Sequence, residues 1–312
     1  MVVVIVKKFL ALIIVCLMAD MAYAQSARLL NPSGQSSQLA LAEYFICNGA
    51  WGCNHGYTDT HGRVIRNLSV NTGVRNLVLI IAGQSLMGAE APTSYVPTHA
   101  NAVDQVNIYD GAVYAMADPP LGSTWTGTSV PGHGAGSIGG RIADLFLTAG
   151  TFDRVILVPI AVGASSAAQW GSGILSNRIC AALARLPARG LVPQSNVTVA
   201  ILWGQGETDN LFATPQATYT ASLNSVVMQA QQCGFSGRFF VNVETWFNGA
   251  ISAPVQAAQI AAVNNTTVFA GGNLDTLGLT NRVSDNTHLN DVGMANAAVL
   301  IHTAMHASGA PF

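Results

Sequence analysis

Four runs of consecutive apolar, largely β-branched residues recur along the chain, at 77–82, 155–161, 197–203 and 239–243. Between and after them lie stretches with apolar residues at three- and four-residue steps, 138–149, 174–186, 215–232 and Asp291–Ala307, which read as helices. A strand that is apolar throughout is buried on both faces, so this alternation predicts a parallel sheet sandwiched between helices. The expected fold class is α/β, a three-layer α/β/α sandwich with a central, mostly parallel sheet. Such sheets bind ligands beyond the carboxyl ends of their strands.

At the N-terminus, Lys7 and Lys8 precede an apolar run at 9–18 and then Ala22-Tyr23-Ala24, a small-residue cleavage pattern. Residues 1–24 therefore read as a secretory signal peptide, which implies a secreted or periplasmic protein. The run is too short to span a bilayer, and no later segment offers the ~20 apolar residues required, so no integral membrane segment is expected after signal removal. Residues 25–72, rich in Gly, Asn and Ser, read as an ordered N-terminal appendage, and 73–312 as one large domain without internal repeats.

Only 9% of the residues are charged, and both lysines lie in the leader. Nucleic acid and anionic membrane are poor partners for such a chain. A surface of Ser, Thr, Asn, Gln and Gly suits neutral, hydroxyl-rich ligands, and nothing in the composition sets an oligomeric state. Four cysteines follow the leader, Cys47, Cys53, Cys180 and Cys233. In an oxidising compartment they allow three pairings. Cys47 and Cys53 flank a short loop, which favours that pair together with Cys180–Cys233. The spacings match no zinc-ligand pattern, and no metal site is expected.

Small and polar residues follow each strand. Gly83-Gln84-Ser85 comes after the first, the segment PIAVGASSAAQW (159–170) after the second, and WGQGETDN (203–210) after the third. Near the C-terminus, VSDNTHLNDVG places Asp285 three residues before His288. In a tight loop that spacing lets the carboxylate accept a hydrogen bond from one ring nitrogen, leaving the other to face a nucleophile.

This constellation resembles the SGNH hydrolase superfamily, most closely its sialate O-acetylesterase and carbohydrate esterase family 6 branch. Four blocks carry the likeness in chain order: Gly83-Gln84-Ser85-Leu86-Met87, Pro159 to Trp170, Gln205 to Asp209, and Asp285 to His288. The segment IYDGAVYAMADPPLG at 108–122 is also similar to the branch, whereas the appendage is not covered. The resemblance implies an SGNH, flavodoxin-like sandwich and a serine esterase removing O-acetyl groups from carbohydrate, either polysaccharide or sialic acid, with no cofactor. Ser85 is then the nucleophile, His288 the base and Asp285 its orienting acid.

Oxyanion donors are expected from the backbone N–H groups of Ser85 and Gly163 and the side-chain amide of Gln205. The wider superfamily has an asparagine in its third block, where this branch has Gln-Gly-Glu. An ionised Glu207 at ~4 Å from the oxyanion would cost about 4 kcal/mol at an effective dielectric of 20, so Gln205 takes the donor role and Glu207 and Asp209 hold the block in shape.

Some residues admit plainer roles. Asp285 could cap the last helix, and Gly163 and Ser165 could be turn residues. Trp203, ending a strand, belongs to the core, whereas Trp170, in a loop, is a candidate to stack on a sugar ring and bind substrate. His133 is a rival base without a carboxylate nearby in sequence. An α/β-hydrolase elbow would need glycine where Met87 stands. A lipase or thioesterase on the same fold, and an inactive carbohydrate-binding surface protein, remain as alternatives.

Overall fold

Buried on both sides, the apolar run after Arg75 forms the middle of a seven-stranded sheet. A computed structural model describes residues 64–66, 68, 70, 73–109, 111–123, 136–173 and 175–312. The leader, most of the appendage, Cys47, Cys53, His55, His61 and His133 lie outside the described residues. The strands are β1 (Asn76–Gly83), β2 (Val103–Val106), β3 (Val113–Ala115), β4 (Arg154–Pro159), β5 (Val197–Gly204), β6 (Arg238–Val243) and β7 (Val268–Asn273). Their order is β3-β2-β4-β1-β5-β6-β7. Every pairing is parallel except β2 with β3.

Alternation along β1 divides the core into two layers. Val78, Ile80 and Ala82 join one apolar cluster, and Leu77, Leu79 and Ile81 the other. The first layer is closed by α3 (Arg178–Arg185), α5 (Gln216–Gln232) and α6 (Ala253–Ala261), through Ile179, Tyr219, Leu223 and Val255. The second is closed by α1 (Gly139–Thr148) and α7 (Asp291–Ala307), through Ile142, Phe146, Met294 and Ile301. Two short helices, α2 (Ala167–Gly171) and α4 (Glu207–Leu211), follow strand ends. Each fully buried aliphatic side chain of β1 contributes roughly 1.5–3 kcal/mol, so this strand anchors both layers. The expected three-layer sandwich is the fold observed.

The helix expected at 174–186 begins later, at Arg178, after turns at 175–177. Cys180 of α3 is bonded to Cys233, which caps α5, with their Cα atoms 5.4 Å apart. At the other edge of the sheet, Arg66 N–H donates to Val113 O (2.8 Å) and Ala115 N–H to Val64 O (2.9 Å). These few described residues of the appendage thus extend β3, and Leu68 and Val70 pack on the first core layer. Among the described residues no helix is long and apolar enough to cross a membrane.

Candidate active site

Gly83 ends β1 with φ +123°, and a Cβ there would stand 1.8 Å from the carbonyl oxygen of Gly204. Only glycine lets the ends of β1 and β5 approach so closely. The chain then turns: Gln84 N–H donates to Gly204 O (2.9 Å), and Ser85–Met87 form one 3-10 turn closed by Gly88 N–H to Ser85 O (2.9 Å). Ser85 is held on this turn, 5% exposed, at the carboxyl end of the central strand.

His288 reaches it from the loop before α7. A bridge between Arg282 and Leu289 closes the loop's base, and Asn286 takes φ +55° at its tip. Asp285 Oδ1 accepts from the backbone N–H groups of Thr287 (2.8 Å) and His288 (2.9 Å). Its Oδ2 lies 2.5 Å from His288 Nδ1, and His288 Nε2 lies 2.9 Å from Ser85 Oγ. Burial pushes the Asp285 carboxyl up, but the hydrogen bond and charge of His288, with the two backbone donors, outweigh it and bring it down to about 2. Asn290, not Asp285, caps α7, accepting from Gly293 N–H at 2.8 Å.

Arg282 braces this loop from within. It is 6% exposed and donates to the carbonyls of Leu277 (3.2 Å), Leu274 (3.2 Å) and Thr287. Its guanidinium lies 5.0 Å from the centre of the Trp246 ring, and Trp246 Nε1–H donates to Asn286 O (2.9 Å). Asn248 N–H to Thr287 Oγ1 (2.9 Å) and Gly249 N–H to Asn286 O (3.1 Å) complete the attachment of the segment after β6. Trp246 and Phe247 are half-buried there. Sequence reasoning misses both, although an aromatic pair directly after an apolar strand belongs at the edge where the other strand ends deliver their residues.

The ends of β4 and β5 are stitched to the same edge. Val162 N–H donates to Gly83 O (2.9 Å), which sets Gly163 in the turn beside the end of β1. Among the described residues, the backbone N–H groups of Ser85 and Gly163 have no protein acceptor. Ser165 Oγ donates to Val162 O (2.7 Å) and accepts from Trp170 Nε1 (2.8 Å). Asp209 Oδ2 accepts from Ala167 N–H (2.9 Å) and from Gln205 Nε2 (2.6 Å).

Two expectations need correction. Trp170 is 1% exposed and meets Trp203 edge to face, with ring centroids 5.5 Å apart, so it is a core residue with no face for a sugar. Gln205 is fully buried, and its amide nitrogen is taken up by Gln84 Oε1 (3.1 Å), Ser165 O (3.0 Å) and Asp209 Oδ2. An amide has two N–H bonds to give, and three acceptors inside the loop already compete for them. Gln205 is a latch between strand ends and leaves no proton for an oxyanion.

Gln84 completes that latch by accepting from Thr208 N–H (3.2 Å) and Gly206 N–H (3.4 Å) at the start of α4. Glu207 is 1% exposed and turned inward, and burial together with Glu244 pushes its carboxyl well above the usual range. The remaining described histidines are engaged elsewhere: His99 Nδ1 lies 3.0 Å from Asp144, and His302 packs on Phe146 and His306.

A hydroxyl, an imidazole and a carboxylate in this chain, beside two backbone donors without an acceptor among the described residues, can transfer an acyl group. The sequence profile described as "Carbohydrate esterase, sialic acid-specific acetylesterase" matches residues 75–306. No curated protein matches the chain. Among solved structures, a protein from Arabidopsis thaliana superposes with a TM-score of 0.56 at 18% identity, over 75% of this chain and 98% of that one. A carbohydrate acetylesterase from Xanthomonas citri gives 0.48 at 13% identity, over 74% and 55%. Another from Sinorhizobium meliloti gives 0.41 at 13% identity, over 75% and 99%.

Proposed function

Because this chain belongs to the carbohydrate esterase, sialic acid-specific acetylesterase family and is a carboxylic ester hydrolase, we propose that it removes O-acetyl groups from carbohydrate through Ser85, His288 and Asp285. The single observation that carries this reading is the unbroken contact from Ser85 Oγ to His288 Nε2 (2.9 Å) and from His288 Nδ1 to Asp285 Oδ2 (2.5 Å).

In this reading His288 takes the Ser85 proton as Oγ attacks the acetyl carbonyl. Asp285 holds the tautomer and stabilises the imidazolium. The carbonyl oxygen, now negative, accepts from the backbone N–H groups of Ser85 and Gly163, and one such donor is worth ~3–4 kcal/mol in the transition state. Collapse breaks the ester C–O bond, and His288 returns its proton to the departing sugar hydroxyl. Water, deprotonated by the same imidazole, then attacks the acetyl-serine and releases acetate.

The leader pattern at 1–24 and the Cys180–Cys233 bond both favour an exported enzyme, and polysaccharide or sialic acid is the acetylated substrate. The test is acetate release from acetylated xylan, pectin, cellulose esters and acetylated sialic acid, with Ser85→Ala as control. At least one of these substrates is expected to be hydrolysed, with the variant slower by about 10⁴-fold or more and normally folded by circular dichroism. Undiminished release by Ser85→Ala would overturn the assignment. A p-nitrophenyl ester series whose rate rises with chain length would point to a lipase instead.

A further inference from the structure

Two carboxyl groups lie buried beneath the site, and the reaction just described uses neither. Glu207 opens α4 and Glu244 follows β6; they are 1% and 0% exposed, and their side chains meet. Among the described residues, neither oxygen of Glu207 nor Oε1 of Glu244 accepts a hydrogen bond from another side chain, and the donor acting on Glu207 is its own backbone N–H. Glu244 Oε2 has only Asn242 Nδ2, at 3.4 Å. By contrast, the neighbouring Asp275 accepts from Thr245 N–H, Thr245 Oγ1, Trp246 N–H and Gln256 Nε2, at 2.6–2.9 Å.

Two touching carboxylates, away from water and almost without donors, cannot both stay ionised. A single proton turns one into a donor and the other into its acceptor. Arg282, itself bonded only to carbonyl oxygens among the contacts above, faces the pair and offsets part of the negative charge that remains. The other groups facing it are Asp275 after β7, Asn242 of β6, Met87 after β1 and Tyr219 of α5, whose hydroxyl donates to Gln205 O at 2.6 Å, while Gln259 of α6 holds the Glu244 backbone. Asp285 reaches the pair through Arg282. Burial first, and the partner's charge second, push Glu207 upward; burial and the charge of Asp275 do the same to Glu244.

The pair borders both halves of the site. A Cβ on Gly204 would stand 2.3 Å from Glu244 Oε2 and 2.7 Å from Met87 Cγ, so Glu244 and Met87 crowd the same point under the turn that bears Ser85. Arg282 donates to Thr287 O, one residue before His288. We propose that Glu207 and Glu244 hold one proton between them and, through Met87 on one side and Arg282 on the other, act as positioning residues for the Ser85–His288 contact. The positioning role rests on the reading of Ser85 and His288 as the reacting pair; the shared proton does not.

The chain has only four glutamates, Glu43, Glu90, Glu207 and Glu244, so protein labelled with ¹³C at the glutamate carboxyl carbon gives at most four resonances. In the full chain at neutral pH, the resonances removed by Glu207→Gln and Glu244→Gln are expected to carry one proton between them and to titrate together on the alkaline side. In Glu207→Gln the remaining Glu244 resonance should move to the ionised position, since the amide supplies the missing donor. In kinetics, wild type should lose kcat as the pair ionises, and Glu207→Gln should lack that alkaline limb. Glu207→Ala should lower kcat about tenfold with KM unchanged, and Gln should restore most of it.

Four ionised resonances at neutral pH would overturn the shared proton, using wild-type protein alone. Superimposable alkaline limbs in wild type and Glu207→Gln would overturn the positioning role. Neither result resembles acetate release by Ser85→Ala, which would instead remove the reacting pair.

Discussion

His288 Nε2 stands 2.9 Å from Ser85 Oγ although 203 residues separate them in the chain. The contact is made by two loops at one sheet edge, each fixed by its own backbone hydrogen bonds. Mutations that spare those loops but alter the chemistry should therefore separate rate from stability.

Asp285→Asn is the sharpest such change. An asparagine amide can donate to Nδ1, which selects the tautomer with its proton facing Ser85. Acetate release at neutral pH should fall by about 10⁴-fold with KM little altered. A fall of less than tenfold in steady-state kinetics would show that Asp285 does not orient the imidazole.

Acid should weaken wild type more than this variant. The Asp285 carboxyl is held down to about 2 in the folded chain, so its contribution is present above the ordinary carboxylate range and is lost as pH falls through about 2. Its side chain is 33% exposed, and with solvent screening the contribution is about 1 kcal/mol. Thermal melts between pH 5 and pH 2 should show wild type losing that much more than Asp285→Asn.

Gln205→Leu separates a latch from an oxyanion donor. Losing the amide leaves Gln84 Oε1 and Asp209 Oδ2 short of a buried donor, which should cost about 2–4 kcal/mol of stability. A true oxyanion donor would instead lose ~3–4 kcal/mol of transition-state binding with an unchanged melting temperature. Denaturant unfolding and kcat, measured on the same preparation, distinguish the two.

Gly83→Ala should fail outright. Its Cβ would overlap the Gly204 carbonyl at 1.8 Å and φ would remain +123°, a cost of at least several kcal/mol. Gly278→Ala, where nothing lies within 4 Å of the added carbon, should fall within about 0.5 kcal/mol of wild type. Soluble yield and melting temperature of the two variants provide the comparison.

Breaking Cys180–Cys233 with Cys180→Ser opens a loop spanning 53 residues. On the chain-entropy account the loss approaches about 4 kcal/mol. Calorimetry should show a lower melting temperature, while acetate release at 25 °C persists, because the bond lies between α3 and the end of α5.

Sequence patterns expose the elements whose burial is apolar. β1, β4, β5 and β6 are legible because the neighbouring layers demand nothing but hydrocarbon from them. β2 is not: it reads Val-Asp-Gln-Val, yet all four residues are buried, with Asp104 Oδ2 paired to Arg154 of the adjacent β4 (Nε 2.6 Å) and Gln105 Oε1 accepting from Leu121 N–H (2.8 Å). β7 hides behind Gly271-Gly272, where a Cβ on Gly272 would stand 2.9 Å from the backbone of α7. The same limit applies at the site. Ser85, Asp285 and His288 announce themselves by residue type and local spacing. The burial of Trp170, the saturation of Gln205 and the meeting of Glu207 with Glu244 are products of tertiary approach, which no local spacing encodes.

The serine turn and its imidazole are drawn from positions 85 and 288, and β1, which leads to Ser85, pairs with β4 and β5, both translated later. On the proposed mechanism, a nascent polypeptide emerging from the ribosome thus carries an inert hydroxyl until residue 288 has been made. On the same proposal, clipping by a protease upstream of 285 would silence the molecule while leaving the serine in place, so any hydrolysis would report on a chain still joined to His288.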